Sequence, residues 1–260
     1  MIAIRKRMLA ALLAAALAGP AAAFTFRLPG GGDNVVGRLH SVTAVHSDTI
    51  SDIAMVHDQG YLEMRQANPG VDAWLPGEGT PVVIPSRYVL PRVPREGLVV
   101  NVPEMRLYWF PRQQADEPPV VVTYPISIGR QDWTTPHGAT KVVAKVVDPA
   151  WYPPESIREE HAANGDPLPR VVKPGPDNPL GTRAMRLGLP GYLIHGTNKP
   201  AGLGMRVTHG CIRMYPTDIE RLFPEVKVGT PVRIVNQPYK VGIDGADLLL
   251  EAHPHLAEDD

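Results

Sequence analysis

Tyr192–Asp218 reads YLIHGTNKPAGLGMRVTHGCIRMYPTD. It holds the only cysteine of the chain, Cys211, and two histidines, His195 and His209. Each histidine is followed by a glycine, giving His195-Gly196 and His209-Gly210-Cys211, and a loop rich in glycine joins the two halves. Leu193 and His195 share one face of an extended segment, with Tyr192 and Ile194 on the other. A cysteine nucleophile with an imidazole base fits this stretch, on backbone that glycine lets approach a substrate closely. The bland alternatives are a small buried cysteine and structural histidines. A third reading makes His195, His209 and Cys211 zinc ligands, although no CxxC, HExxH or second cysteine accompanies them.

The wider pattern is more specific. His195-Gly196-Thr197, a loop, then Thr208-His209-Gly210-Cys211-Ile212-Arg213-Met214 and a following Asp218 resemble the signature of the YkuD-type L,D-transpeptidases. The resemblance extends over Leu98–Val235. It implies Cys211 as nucleophile, His195 as its base and His209 as an orienting or oxyanion-supporting group. It also implies a peptidoglycan stem tetrapeptide as acyl donor, with no cofactor and no metal. The acceptor it implies is the side-chain amine of a second stem peptide or of a wall-anchored lipoprotein. Gly210, Gly196, Thr208 and Arg213 are then candidates for oxyanion and substrate contacts. The Arg213 guanidinium suits a substrate carboxylate, or alternatively a structural salt bridge to Asp218. A hydrolase such as an L,D-carboxypeptidase would use the same residues, and a peptidoglycan-binding protein without catalysis is a further alternative.

Around this stretch, short strand-like runs alternate with turn signals. Leu98–Val102, Met105–Phe110, Pro119–Ser127, Lys141–Val147, Ala184–Leu189, Gly191–His195 and Gly229–Val235 predict a mainly β, sandwich-like catalytic domain over 97–235. Thr135–Gly138 reads as a turn. Trp151–Asn178 shows no period and is expected to be a long loop covering access to Cys211, or a plain surface excursion. Pro216 starts a short helix with Ile219, Leu222 and Phe223 as its apolar stripe. That helix is expected to lend its N-terminal dipole to the thiolate.

The flanks carry separate signals. Arg5, Lys6 and Arg7, an apolar Met8–Ala18 and Ala21-Ala22-Ala23 read as a signal peptide over 1–23, implying export to the periplasm. Eleven or so apolar residues are too few for a hydrocarbon core about 30 Å thick, so no membrane span is expected in the mature chain. In an oxidising compartment an unpaired cysteine is a liability unless used or sheltered. From 34 to 85 the chain resembles a small α+β LysM module, which implies glycan strands as a partner. Helix starts at Asp48–Ala54 (with Asp48 or Ser51 as cap) and Tyr61–Ala67 precede a Trp74–Gly77 turn and a Pro81–Pro85 strand. Residues 86–96 read as a stiff linker, and 236–260 as an extension with a hairpin turning at Gly242–Gly245 and a frayed acidic end.

The formal net charge is −1, and no basic run stands out, so nucleic acid is not expected as a partner. The 29 prolines and 24 glycines interrupt helices, while 43% apolar residues supply a packed core rather than disorder.

Overall fold

A computed structural model describes residues 24–113 and 116–256. The signal-peptide reading of 1–23 and the acidic end at 258–260 lie outside the described residues. Among those described, no helix is long and apolar enough to cross a membrane.

The described residues open with β1 (Phe24–Arg27) and β2 (Val35–Gly37). Next, β3 (His40–Thr43), α1 (Ile50–Val56), α2 (Tyr61–Ala67) and β4 (Pro81–Ile84) form a small unit in which β3 and β4 pair antiparallel and the two helices come between them along the chain. Its core is Ala44, Ile50, Ile53, Ala54, Met64, Val82 and Ile84. The cap of α1 is Thr49, not Asp48 or Ser51. Thr49 Oγ1 accepts from Asp52 N–H at 3.1 Å, and Asp52 Oδ2 accepts from Thr49 N–H at 3.0 Å, a reciprocal capping box. Ser51 already lies inside the first turn, and Asp48 is occupied by the Val45 amide.

The central body is built from β5 (Arg87–Val89), β6 (Gly97–Asn101), β7 (Arg106–Phe110), β8 (Val120–Gly129) and β9 (Gly138–Val147), continued after α3 (Glu155–Ala163) by β10 (Arg183–Leu187), β11 (Leu193–His195), β12 (Arg206–Thr208) and β13 (Ile212–Met214). Helix α4 (Pro216–Glu225) and β14 (Pro231–Val235) follow. The strand order β8-β13-β11-β10-β9-β14-β6-β7 returns to β8, because β7 pairs with both β6 and β8. The ten-residue strands β8 and β9 turn the corners between two faces, so the expected sandwich is closed on itself. Leu98, Val100, Leu107, Ile126, Met185, Ile194, Ile212 and Met214 fill the space between, and α4 adds Ile219 and Leu222.

Strands β6 and β7 are buried on both faces, which is why they read as near-continuous apolar runs. Val99, Tyr108, Phe110 and Val121 point outward and are covered by Val36, Tyr88 and Leu90. The stretch expected to be a stiff linker therefore supplies a strand: β5 pairs with β2, and its Tyr88 covers the outer face. Arg106, on the same outward side of β7, is fully buried beneath α2. It pairs with Glu63 at 2.6 Å and lies 4.2 Å over the Tyr88 ring.

Two further expectations are corrected. The 151–178 stretch is not a plain loop. It holds α3, and Asn178 Nδ2 donates to the Pro149 carbonyl at 2.8 Å to close it. Only Ile157 of α3 is buried, so no apolar period announced the helix. The final hairpin, β15 (Tyr239–Asp244) with β16 (Asp247–Ala252), turns at Gly245-Ala246 rather than at Gly242–Gly245. Gly242 serves close approach instead: a Cβ there would stand 2.6 Å from Val35 Cγ2 and 2.8 Å from Val89 Cγ2.

A buried ionic cluster ties this hairpin to the body. Lys240 Nζ lies 2.7 Å from Glu104 and 2.8 Å from Glu251, and donates to the Val89 carbonyl at 2.7 Å. Burial works against an ionised Glu251, but bonds from His253 and Lys240 hold its carboxyl down at about 2. Glu104, Glu251 and His253 are close enough to hold one cation, and the Lys240 ammonium supplies the positive charge between the two carboxylates. Lys240→Ala removes the cation from buried Glu104 and leaves Glu251 with His253 alone. A loss of about 3–5 kcal/mol is expected, read as a lower denaturant midpoint. An unchanged midpoint would mean the cluster does not anchor the hairpin.

Candidate active site

Strands β11 and β13 run parallel, with Ile194 opposite Ile212 and His195 opposite Arg213. Ile194, Ile212 and Met214 face the core. Alternation then turns Leu193, His195 and Arg213 to the other face, together with Cys211 one residue before β13 begins. Residues on either side of a long loop thus become neighbours. A parallel pair needs a crossover, and the loop supplies it by way of β12, which pairs with the end of β8.

His195 is buried, and its Nδ1 lies 2.7 Å from the Gly196 carbonyl. A carbonyl only accepts, so Nδ1 carries the proton and Nε2 is left bare. Burial pushes the pKa of this imidazole down to about 3, the Arg213 charge works in the same direction, and the Gly196 bond opposes them. At neutral pH it is an uncharged base. Gly196 thus sets the tautomer through its carbonyl, and its own N–H donates to Arg183 O at 3.1 Å.

Cys211 is half-buried, and its Sγ stands 3.7 Å from the Gly191 carbonyl. Burial raises its pKa, while the Leu193 N–H and the Arg213 charge pull it back. The resting group is a thiol. No preformed Cys211–His195 ion pair is found. Nor does a helix end reach the sulfur: β13 lies between Cys211 and α4, so the expected dipole assistance is absent.

The loop around Cys211 is held by two threonines. Thr208 Oγ1 donates to the Cys211 carbonyl at 2.6 Å, so it braces the backbone of Cys211. Thr135 Oγ1 accepts from Gly129 N–H at 3.0 Å and donates to the Gly210 carbonyl at 2.9 Å. Because a trans peptide opposes its C=O and N–H, the Cys211 N–H points away from Thr135. Gly210 has φ +94°, and a Cβ there would stand 2.8 Å from Tyr192 Cε1, so the position requires glycine.

His209 does not join His195. Its Nε2 lies 3.1 Å from Glu160 Oε2, and the same oxygen takes Arg130 at 2.6 Å. Trp133 meets the ring edge-on with centroids 5.1 Å apart. Burial lowers the His209 pKa more than Glu160 restores it. The group of residues spaced to share one ion among those described is the Glu104 cluster, not His195, His209 and Cys211. Arg213 makes no ion pair with Asp218. Its Nε is buried without a partner, and both Asp218 carboxylate oxygens are likewise buried and unbonded, near Asp58 and Arg221. Sequence reading missed Thr135, Glu160 and Arg130, which lie far from the motif along the chain. Thr135 was visible only as part of a turn.

The family model for YkuD, the L,D-transpeptidase catalytic domain, matches residues 95–234. The chain belongs to that family. Probable L,D-transpeptidase YcfS of Escherichia coli is 43% identical over 252 residues, which span 94% of this chain and 77% of that protein. Probable L,D-transpeptidase YbiS of the same organism is 41% identical over 223 residues, 85% of this chain and 71% of its own. Probable L,D-transpeptidase ErfK/SrfK, also of Escherichia coli, is 41% identical over 240 residues, 90% and 76% respectively. The family match covers every element that positions His195 and Cys211, from β6 to β14.

The lowered His195 pKa has a measurable sign. Unfolded, this histidine takes a proton near 6.5; folded, near 3. Its contribution to stability is fully present above about 6.5, falls as the pH drops below that, and is gone below about 3. Between these limits, stability falls with acidification by up to about 1.4 kcal/mol per pH unit from this one proton. Urea melts of wild type and His195→Gln from pH 7 to pH 4 are expected to show a shallower slope in the variant. Parallel slopes would contradict a buried neutral His195.

Proposed function

We propose that this enzyme acts on peptidoglycan stem peptides through a cysteine acyl-enzyme. The observation that carries the reading is the bare Nε2 of a neutral His195 on the same face as Cys211. At rest the thiol rests against the Gly191 carbonyl. When a tetrapeptide donor is bound, the thiol turns to the imidazole, and His195 Nε2 takes its proton as sulfur attacks the amide carbonyl. The scissile amide joins the L-centre of the diamino acid to the terminal D-alanine. The Cys211 N–H, freed by the Thr135 clamp, stabilises the oxyanion. Such donors are worth about 2.7–4 kcal/mol each. The C–N bond breaks, the His195 proton goes to the departing D-alanine amine, and a thioester remains. The amine of a second stem peptide then attacks the thioester, giving a 3–3 cross-link and restoring the thiol.

Arg213 has an unbonded guanidinium nitrogen, which suits it to a donor carboxylate. The catalytic unit is assigned to 97–235 and the LysM-like unit to 34–85. The latter carries an exposed Trp74 above a groove lined by Tyr61, Arg65 and Asp72, and we assign glycan strands to it. Export by the 1–23 signal peptide places the protein in the periplasm, where its substrate lies, and Cys211 has no disulfide partner there.

Mature protein incubated with disaccharide-tetrapeptide and resolved by mass spectrometry tests the reading. A dimer lacking one alanine is the expected product. Monomer lacking alanine would replace transfer with hydrolysis, and transfer to a lysine-bearing lipoprotein alone would replace the acceptor. Cys211→Ala is expected to abolish turnover and leave the melting temperature near wild type. Retained turnover in that variant would exclude the thioester route.

A further inference from the structure

The two histidines of the motif are held in opposite ways. His195 gives its Nδ1–H to a carbonyl, whereas His209 turns Nε2 to the Glu160 carboxylate. Glu160 comes from α3, in the insertion between β9 and β10. Arg130, just past β8, binds the same carboxylate oxygen, so three distant segments meet at one atom. Pairing with Arg130 holds the Glu160 carboxyl down at about 2 against desolvation, and His209 adds to the effect. An ionised carboxylate accepts and cannot donate. His209 Nε2 therefore carries the proton. A neutral imidazole has one N–H, and here it is committed.

We propose that Glu160 is a positioning residue for the reaction: it clamps His209 as the Nε2–H tautomer and fixes the loop that carries Gly210 and Cys211. The clamp has a chemical consequence. His209 has no N–H left for an oxyanion, so that duty falls to the backbone. Its Nδ1 is a bare acceptor, and a group that approaches it must bring a proton, as the N–H of a donor peptide or of an incoming amine does. Helix α3 is thereby fastened to the catalytic loop through a side chain rather than merely lying near it. Trp133 on the edge of the His209 ring, and His161 with centroids 6.5 Å away, restrict the ring from other sides.

The activity arm of the test rests on the stem-peptide reading; the spectroscopic arm does not. Protein labelled with 15N in its histidine rings gives each tautomer directly from two-bond proton–nitrogen correlations at neutral pH. The expected wild-type spectrum shows Nδ1–H at His195 and Nε2–H at His209, assigned by single substitution of each. Glu160→Ala is expected to shift His209 away from a single tautomer, whereas Glu160→Gln keeps an accepting oxygen and the wild-type pattern. On disaccharide-tetrapeptide, Glu160→Ala is expected to lower kcat about tenfold, with Glu160→Gln within about threefold of wild type. Nδ1–H or doubly protonated His209 in wild type overturns the proposal without any variant, as does an unaltered His209 spectrum in Glu160→Ala. Wild type inactive on the stem peptide, with the tautomers as expected, would defeat the substrate reading and leave the clamp standing.

Discussion

A parallel ladder of two residue pairs, Ile194 with Ile212 and His195 with Arg213, sets the geometry of the candidate site. Its register is fixed from behind. Ile194, Ile212 and Met214 are almost wholly excluded from solvent, packed with Met185 and with Ile219 of α4. A slip by one residue would send His195 into that core and expose an isoleucine in its place. The hydrophobic effect, acting on Ile194, Ile212 and Met214, thereby decides that His195 and Arg213 turn to the opposite face. The closed strand order around the core resists such a slip, since β11 and β13 each have paired neighbours on both sides.

Burial then decides the charge states. His195 is kept neutral by burial and by the nearby Arg213 cation, and Cys211 is kept a thiol by burial that outweighs the Leu193 N–H and the Arg213 charge. The two groups rest uncharged, in contrast to cysteine sites that store a thiolate at a helix end. The backbone geometry that this requires is bought locally by Gly210 at positive φ and by the hydroxyls of Thr135 and Thr208.

The outer parts are joined to this body by buried charges rather than by apolar contact alone. Arg106 reaches Glu63 of α2, and Lys240 reaches Glu104 and Glu251. A buried ion pair adds little net stability over an apolar substitute but is costly to break. It therefore fixes how the α1–α2 unit and the final hairpin sit on β6 and β7. That arrangement was not legible in advance: Arg106 was readable only as the polar member of an alternating strand, and Lys240 only as part of a hairpin.

The sequence by itself pointed to the motif that holds His195 and Cys211 and to the β character of the chain. Those signals are local: His195, Gly210 and Cys211 sit in one short motif, and strand alternation and turn glycines act over a few residues. It also placed α2 and α4 correctly, where Asn68-Pro69-Gly70 and Pro216 punctuate the chain. It misread 86–96 as a linker and 151–178 as a loop, because Tyr88 and α3 take their structure from what they cover and bind. Only the tertiary structure decided the tautomers, the neutral state of His195 and Cys211 and the contacts made by Thr135, Arg130 and Glu160. Glu160 lies 49 residues from His209 along the chain, and a contact at that distance leaves no period in the sequence. Protonation likewise depends on the water that other segments exclude, which is a property of the packed molecule and not of any single stretch.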